Sequence, residues 1–133
     1  MIPFIFVYGT LVSSHGHPMG SRLRQEALLV GPAQVAGRLH RISWYPGLRP
    51  AEAATDRVHG EVYKLADPKA ALAWLDEYEG IAPGAASVAK PDMYARVVCP
   101  ATTTVRTTID CWLYLYQLPA AAGTWVPDGI WRG

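Results

Sequence analysis

One segment predicts its own structure from end to end: Asp67-Pro68-Lys69-Ala70-Ala71-Leu72-Ala73-Trp74-Leu75-Asp76-Glu77-Tyr78-Glu79-Gly80. Asp67 can cap the first turn of a helix, and Pro68 has the fixed φ angle that suits that turn. The alanine and leucine residues that follow continue the helix. Gly80 ends it, because glycine adopts the positive φ angle that commonly follows a last helical turn. We therefore predict a helix from Asp67 to Glu79.

Glu79 lies on the apolar face of this predicted helix, together with Leu72 and Leu75. A carboxylate on a buried face costs free energy unless it is paired or neutral. Its place in the last turn, where the helix dipole disfavours negative charge, also raises its pKa. A carboxyl with a raised pKa suits a general acid or base near pH 7. Glu79 is therefore the candidate catalytic residue.

The alternative is that Glu79 only caps a loop or forms an ion pair with Arg96. Its neighbours Asp76 and Glu77 are expected to point elsewhere, into solvent. The spacing of the helix does not decide between the catalytic and the structural interpretation.

A second candidate site is the strand end Tyr8-Gly9-Thr10-Leu11. Glycine lets a ligand approach the backbone, and the exposed N–H groups of such a turn can hold a carboxylate or another anion. The turn is not a phosphate-binding loop, because the Gly-Lys-Thr ending and the second glycine are missing. An ordinary strand-to-loop turn is the alternative.

The rest of the chain predicts an α+β fold with one domain over residues 1–133 and no internal repeat. We expect a mixed sheet or partly closed barrel, flanked by two helices. A helix is expected over 18–30, with Leu23, Leu28 and Leu29 as its apolar side and Gly31-Pro32 as its end. Strands are expected over 2–8, 33–42, 57–65, 94–99 and 107–116, with a turn at 44–48, a long loop at 80–93 and an aromatic tail at 123–131 that packs on the body.

Charge and hydropathy argue against several classes of partner. The chain has 12 basic and 11 acidic residues and no basic stripe, so we expect neither nucleic acid nor a membrane surface as a partner. The apolar run at residues 2–7 is too short for a signal peptide or a membrane span, which favours a cytoplasmic protein. A charged fraction of only 17% leaves little solvated surface and is compatible with a homodimer.

Cysteine and histidine residues give no metal or cofactor site. Cys99 and Cys111 lie in apolar stretches and are interpreted as reduced core thiols. His15 and His17 are only two candidate ligands, so we expect a polar loop there and no metal. His40 and His59 alternate with apolar residues and are expected to face solvent or a hydroxyl group.

The order of the motifs adds to these observations. Six segments follow one another along the chain: Val7-Tyr8-Gly9-Thr10-Leu11, Tyr45-Pro46-Gly47-Leu48, Val58-His59-Gly60-Glu61-Val62-Tyr63, Leu75-Asp76-Glu77-Tyr78-Glu79-Gly80, Tyr94-Ala95-Arg96 and Trp112-Leu113-Tyr114-Leu115-Tyr116. This succession resembles the γ-glutamylcyclotransferase-like (AIG2-like) family, in particular its short bacterial members. Each motif alone is weak, but the ordered set spans nearly the whole chain.

The resemblance implies a small β-barrel-like domain with one pocket and a catalytic glutamate at the position of Glu79. It also implies that Tyr8, Gly9, Thr10 and Leu11 hold a γ-glutamyl group and that Tyr114 lines the pocket. The implied substrate is a γ-glutamyl amide or γ-glutamylamine, cyclised to 5-oxoproline without metal or cofactor. Roles for Tyr94 and Arg96 stay open. The alternative is a non-catalytic domain of the same fold that binds a small ligand or a protein.

Overall fold

The structure is a computed structural model that describes residues 1–9, 11–13, 16–80, 93–118 and 123–133. These residues form eight β-strands and two α-helices. In chain order the elements are β1 (Phe4–Val7), α1 (Pro18–Glu26), β2 (Ala27–Ala36), β3 (Arg38–Arg41), β4 (Pro46–Arg49), β5 (Arg57–Leu65), α2 (Pro68–Tyr78), β6 (Tyr94–Thr103), β7 (Thr108–Tyr116) and β8 (Thr124–Val126).

Five of the strands close into a barrel. The antiparallel pairs β1–β5, β5–β2, β2–β6 and β6–β7 form most of the ring. A parallel pairing of β1 with β7, at Ile5 and Trp112, completes it. Strands β4, β3 and β8 extend the sheet outward from β7. The predicted α+β fold, a mixed barrel-like sheet with flanking helices, is confirmed.

Helix α2 has the ends that the sequence predicts. The Asp67 side chain accepts a hydrogen bond from the Ala70 N–H at 3.2 Å, and Pro68 is the first helical residue. Gly80 follows the helix with a φ of 77°, a conformation that costs glycine little. Leu72 and Leu75 are buried in the core that α2 shares with the barrel wall. Burial of this face, together with the cap, holds the end of α2 in place.

Helix α1 is shorter than predicted. It ends at Glu26, and the next ten residues form β2, which pairs with β5 from Ala27 opposite Leu65 onward. Leu28 and Leu29 therefore lie on a strand, where they are 74% and 49% exposed. Gly31 does not end a helix but lies at a shift in the β2–β5 register. Pairing with β5 overrides the helical pattern of this segment.

Two other predicted boundaries are wrong. The expected strand over 33–42 divides at Gly37 into β2 and β3, and the expected turn at 44–48 contains the start of β4. Gly47 is buried against Tyr116, where a Cβ atom would lie 2.7 Å from the ring. The described chain thus has eight strands where five are predicted, partly because the tail forms β8. Trp131 is buried, which confirms that the tail packs on the body.

His40 differs from expectation, whereas the cysteines and His59 agree with it. His40 is buried because β8 pairs with β3 and places Trp125 opposite it. His59 is exposed. Cys99 and Cys111 are unpaired thiols that face each other across β6 and β7, Cys111 buried and Cys99 partly buried. His15 and residues 81–92 of the predicted loop lie outside the described residues, and none of the described helices is long and apolar enough to cross a membrane.

Candidate active site

A cavity of about 250 Å³ lies where the ends of β1 and α2 meet the start of β4. Its described lining is mostly apolar and aromatic, and Glu79 is the one charged side chain in that lining. The residues predicted separately from the sequence come together there: Tyr8, Gly9, Leu11, Glu79 and Tyr114. Thr10, the remaining predicted site residue, lies outside the described residues.

Glu79 is the residue directly after the last turn of α2, and its N–H donates to the Leu75 carbonyl at 2.9 Å. Its carboxyl borders the cavity, and burial raises its pKa to about 7. It forms no ion pair with any residue that the structure describes. Near pH 7 it can therefore both accept and donate a proton.

Arg96 pairs with Asp76 instead of Glu79, which excludes the ion-pair alternative for Glu79. The Asp76 carboxylate accepts from Arg96 Nε at 2.8 Å and from Nη2 at 3.2 Å. It also accepts from the Tyr114 hydroxyl at 2.7 Å. The expectation that Asp76 points into solvent is wrong, because β6 and β7 bring Arg96 and Tyr114 against this face of α2. Burial first, and then the bond to Asp76, raise the pKa of Tyr114, so this hydroxyl stays protonated.

Tyr8 lines the cavity with its ring, while its hydroxyl is occupied elsewhere. The hydroxyl donates to the Tyr114 carbonyl at 2.6 Å and accepts from the Leu48 N–H at 3.2 Å. Burial, followed by the nearby Tyr94 hydroxyl and Glu79 carboxyl, raises the pKa of Tyr8. A ligand would therefore contact Tyr8 through its ring, and the hydroxyl ties β1 to β4 and β7.

The turn after β1 contributes Gly9 and Leu11 to the lining of the cavity. We define the β1 turn as Gly9 together with residues 11–13. The Val12 N–H donates to the Gly9 carbonyl at 3.0 Å, which closes the turn. A Cβ atom on Gly9 would lie 2.7 Å from Pro46 Cγ, so glycine is required for this close approach. Such an arrangement can present amide groups to an anion.

Four further aromatic and apolar residues of the lining are missed by the sequence reasoning: Trp44, Tyr45, Tyr78 and Met93. Trp44 is 71% exposed and lies at the mouth of the cavity, with its ring edge-on to Tyr45. Tyr94, for which the sequence leaves the role open, lines the cavity and donates a hydrogen bond to the Pro46 carbonyl. The position of Tyr78 beside Glu79 in the sequence is a signal that could have identified it.

Histidine, cysteine and acidic side chains do not cluster in threes anywhere in the described ranges, so those residues contain no metal-binding group of this kind.

Comparison with known protein families shows which family this chain belongs to. The family described as "Gamma-glutamyl cyclotransferase, AIG2-like" matches residues 5–133. The chain belongs to this AIG2-like family. Membership supports an enzyme of the general cyclotransferase kind.

Solved structures with the AIG2-like fold cover almost all of the chain. Protein ytfP from Escherichia coli is 30% identical, with 96% of this chain and 95% of that chain covered and a TM-score of 0.66. An AIG2-like protein from Mus musculus is 22% identical, with coverages of 99% and 95% and a TM-score of 0.63. The uncharacterized protein PH0828 from Pyrococcus horikoshii is 18% identical, with coverages of 98% and 89% and a TM-score of 0.65. Among curated proteins, none matches significantly.

Proposed function

We propose that this chain is a cyclotransferase that converts γ-glutamyl amides or γ-glutamylamines into 5-oxoproline and a free amine, with Glu79 as general acid and base. One observation supports this most directly. A lone carboxyl with a pKa of about 7 borders the same cavity as the β1 turn. A proton-transfer group is thereby combined with a backbone surface suited to a carboxylate.

The substrate would be held at its amino-acid end. The backbone N–H groups of Gly9, Thr10 and Leu11 would bind the substrate α-carboxylate, with Thr10 included on the sequence alone. The Tyr114 hydroxyl donates a hydrogen bond to Asp76, so its oxygen can accept a hydrogen bond from the substrate α-amine. That bond would turn the amine lone pair toward the γ-carbonyl carbon. The ring of Tyr8 would pack against the aliphatic part of the γ-glutamyl group.

In the reaction the α-amine nitrogen attacks the γ-carbonyl carbon of the same molecule, and the Glu79 carboxylate takes the proton that the nitrogen loses. Glu79 then gives this proton to the leaving nitrogen as the original amide bond breaks. The five-membered lactam and the free amine are the products. Because nucleophile and electrophile belong to one molecule, the folded pose supplies much of the acceleration. No covalent enzyme intermediate is needed.

The test is a panel of γ-glutamyl amides, γ-glutamylamines and γ-glutamyl peptides, with 5-oxoproline measured by mass spectrometry. We expect wild-type protein to form 5-oxoproline from at least one class. Glu79→Gln should fold normally and lose roughly 10²–10⁴-fold in turnover, the usual contribution of a positioned acid or base. Glu77→Gln is the matched control, because this exposed neighbour on the same helix should keep the wild-type rate.

Two results would contradict the proposal. If Glu79→Gln turns over every accepted substrate at the wild-type rate, Glu79 is not the catalyst. If the wild-type protein forms no 5-oxoproline from any member of the panel, the alternative of a non-catalytic binding domain is favoured.

A further inference from the structure

Strand β5 approaches β1 very closely at the point where β1 ends. Glu61 pairs with Val7 in the register of these strands, two residues before Gly9. A Cβ atom on the preceding residue, Gly60, would lie only 2.0 Å from the Val7 carbonyl oxygen. The absence of a side chain at Gly60 therefore allows β5 to place Glu61 beside the start of the β1 turn.

The Glu61 side chain binds the far end of that turn with both of its carboxylate oxygens. Oε1 accepts from the Ser13 N–H at 2.7 Å, and Oε2 accepts from the Ser13 hydroxyl at 2.6 Å. The Tyr63 hydroxyl also donates to Oε1, at 3.3 Å. Hydrogen bonds to an ionised carboxylate are shorter and stronger than those between neutral groups. Two of them on one residue fix its position and its orientation.

We propose that Glu61 is a positioning residue that fixes the β1 turn so that its amides face the cavity in a binding-ready geometry. The proposal rests on the cyclotransferase function above for the identity of the ligand. Glu61 itself does not line the cavity, so it acts on a substrate only through the turn. The bond from Val12 N–H to the Gly9 carbonyl closes the turn at one end, and Glu61 holds Ser13 at the other.

We call the two hydrogen bonds from Ser13 to Glu61 the clamp. The clamp is expected to affect substrate binding rather than the chemical step. The α-carboxylate of the substrate keeps its charge throughout cyclisation, so its contacts with the turn are equal in the ground state and the transition state. Removal of uniform binding raises KM and leaves kcat unchanged. Loss of Glu79 has the opposite pattern, because proton transfer occurs only in the chemical step.

The experiment compares three variants and one control in steady-state kinetics. Glu61→Ala should raise KM roughly tenfold with kcat within about twofold, since both bonds from Ser13 are lost and the turn must be ordered on binding. Glu61→Gln should stay near wild type, because its oxygen can accept from the Ser13 N–H and its amide can donate to the Ser13 hydroxyl. Ser13→Ala, which keeps the N–H bond, should lie between them.

Asp56→Ala is the matched control. Asp56 is also a carboxylate that accepts from loop N–H groups, those of Glu52 and Ala53, but it does not line the cavity. Its loss should lower stability without changing KM. An equal rise in KM for Asp56→Ala, or a fall in kcat with constant KM for Glu61→Ala, would overturn the proposal. If Glu61→Ala fails to fold, an unchanged KM in Ser13→Ala overturns it.

Amide hydrogen exchange gives a readout that does not depend on turnover. We expect the Ser13 N–H, and the neighbouring Val12 N–H that donates to the Gly9 carbonyl, to exchange faster in Glu61→Ala than in wild type, with the β5 amides unchanged. If the wild-type protein proves inactive while this local change appears, the clamp stands and the cyclotransferase function falls. If exchange at Ser13 is unchanged, the clamp is refuted whatever the activity.

Discussion

At the scale of single residues, the carboxyl of Glu79 has the largest consequences. Burial favours its neutral form and raises its pKa to about 7, where roughly half of the molecules carry the proton at neutral pH. The same shift that suits the group to proton transfer also makes its ionisation unfavourable in the folded state. Activity and stability should therefore depend on pH in opposite directions.

The first prediction concerns the rate. Glu79 must be ionised to act as a base, and the ionised fraction rises with pH, so kcat/KM should rise about tenfold per pH unit below 7 and level off above it. The substrate α-amine adds its own titration, which can be identified because it alone remains in the residual activity of Glu79→Gln. An inflection at the ordinary carboxyl value near 4.5 in the wild type would contradict the assignment.

The second prediction concerns stability. The folded-state pKa of about 7 exceeds the ordinary glutamate value of 4.5, so the folded protein binds more protons than the unfolded chain between these two values. The free energy of unfolding should fall as pH rises through this window, by up to about 3 kcal/mol from this group. Glu79→Gln removes the titration, so its stability relative to wild type should increase from pH 4.5 to 7.

Urea unfolding of both proteins at several pH values measures this difference. Glu77→Gln provides the baseline, because its exposed carboxylate should give a nearly constant difference from wild type. A constant difference between Glu79→Gln and wild type across the window would mean that the Glu79 pKa is not raised.

At the scale of secondary-structure elements, α2 is tied to β6 and β7 through one carboxylate. Asp76 accepts two bonds from Arg96 and one from Tyr114, and Arg96 stacks on the Trp112 ring. Both partners in the Asp76–Arg96 pair have side chains that are 24% exposed. This connection holds the end of the helix, and therefore Glu79, against the cavity.

Asp76→Ala should lower the free energy of unfolding by about 1.5–3 kcal/mol, because three bonds to a partly buried charge are lost. Glu52→Ala is the comparison, since Glu52 is 69% exposed and its pair with Arg38 is expected to contribute less than about 1 kcal/mol. Chemical denaturation of the two variants measures the difference. Equally small losses in the free energy of unfolding for Asp76→Ala and Glu52→Ala would show that Asp76 does not hold α2 against β6 and β7.

Elements with local signals are the ones that the sequence predicts well. Helix α2 has a cap, a first-turn proline and a final glycine within one segment, so no distant contact is needed to define it. β5 agrees with its predicted bounds. The end of α1 depends on the pairing of Ala27 with Leu65, and the ion pair of Asp76 depends on the position of β6. Neither long-range contact can be predicted from the local sequence.

The residues of the candidate site also differ in whether the local sequence identifies them. Glu79 is recognisable because it places a carboxyl on an apolar helix face. The turn after β1 is recognisable because its glycine lets a ligand approach the backbone. Trp44 and Tyr45 lie in a segment that has the proline and glycine of a turn, and only the pairing of β4 with β7 brings them to the cavity.

At the scale of the whole molecule, closure of the barrel depends on the close approach of the β1 and β5 backbones. Gly60→Ala would place a Cβ atom 2.0 Å from the Val7 carbonyl, so β1 and β5 would have to separate. We expect a loss of roughly 2–3 kcal/mol in the free energy of unfolding, typical of overpacking. Gly16→Ala is the control, because its φ of 65° is strained for alanine but the space around it is open, and it should cost only about 1 kcal/mol.

Thermal and urea unfolding followed by circular dichroism compare the two variants. A loss in Gly60→Ala no larger than that in Gly16→Ala would mean that the barrel relaxes freely at this point. Tryptophan fluorescence is a second probe, since Trp112 lies at the β1–β7 contact and its ring N–H donates to the Ile2 carbonyl at 2.9 Å.

The hydrogen bond between Tyr8 and Tyr114 joins residues that lie 106 positions apart in the chain. A ribosome must therefore synthesise the chain from β1 through β7 before the two halves of the pocket can meet. Long-range pairing of this kind slows folding, because a large loop has to close before its contacts are made. A nascent chain that lacks β7 can form local helices and hairpins, yet it has no pocket wall opposite Tyr8, so ligand binding should arise only after β7 has left the ribosome.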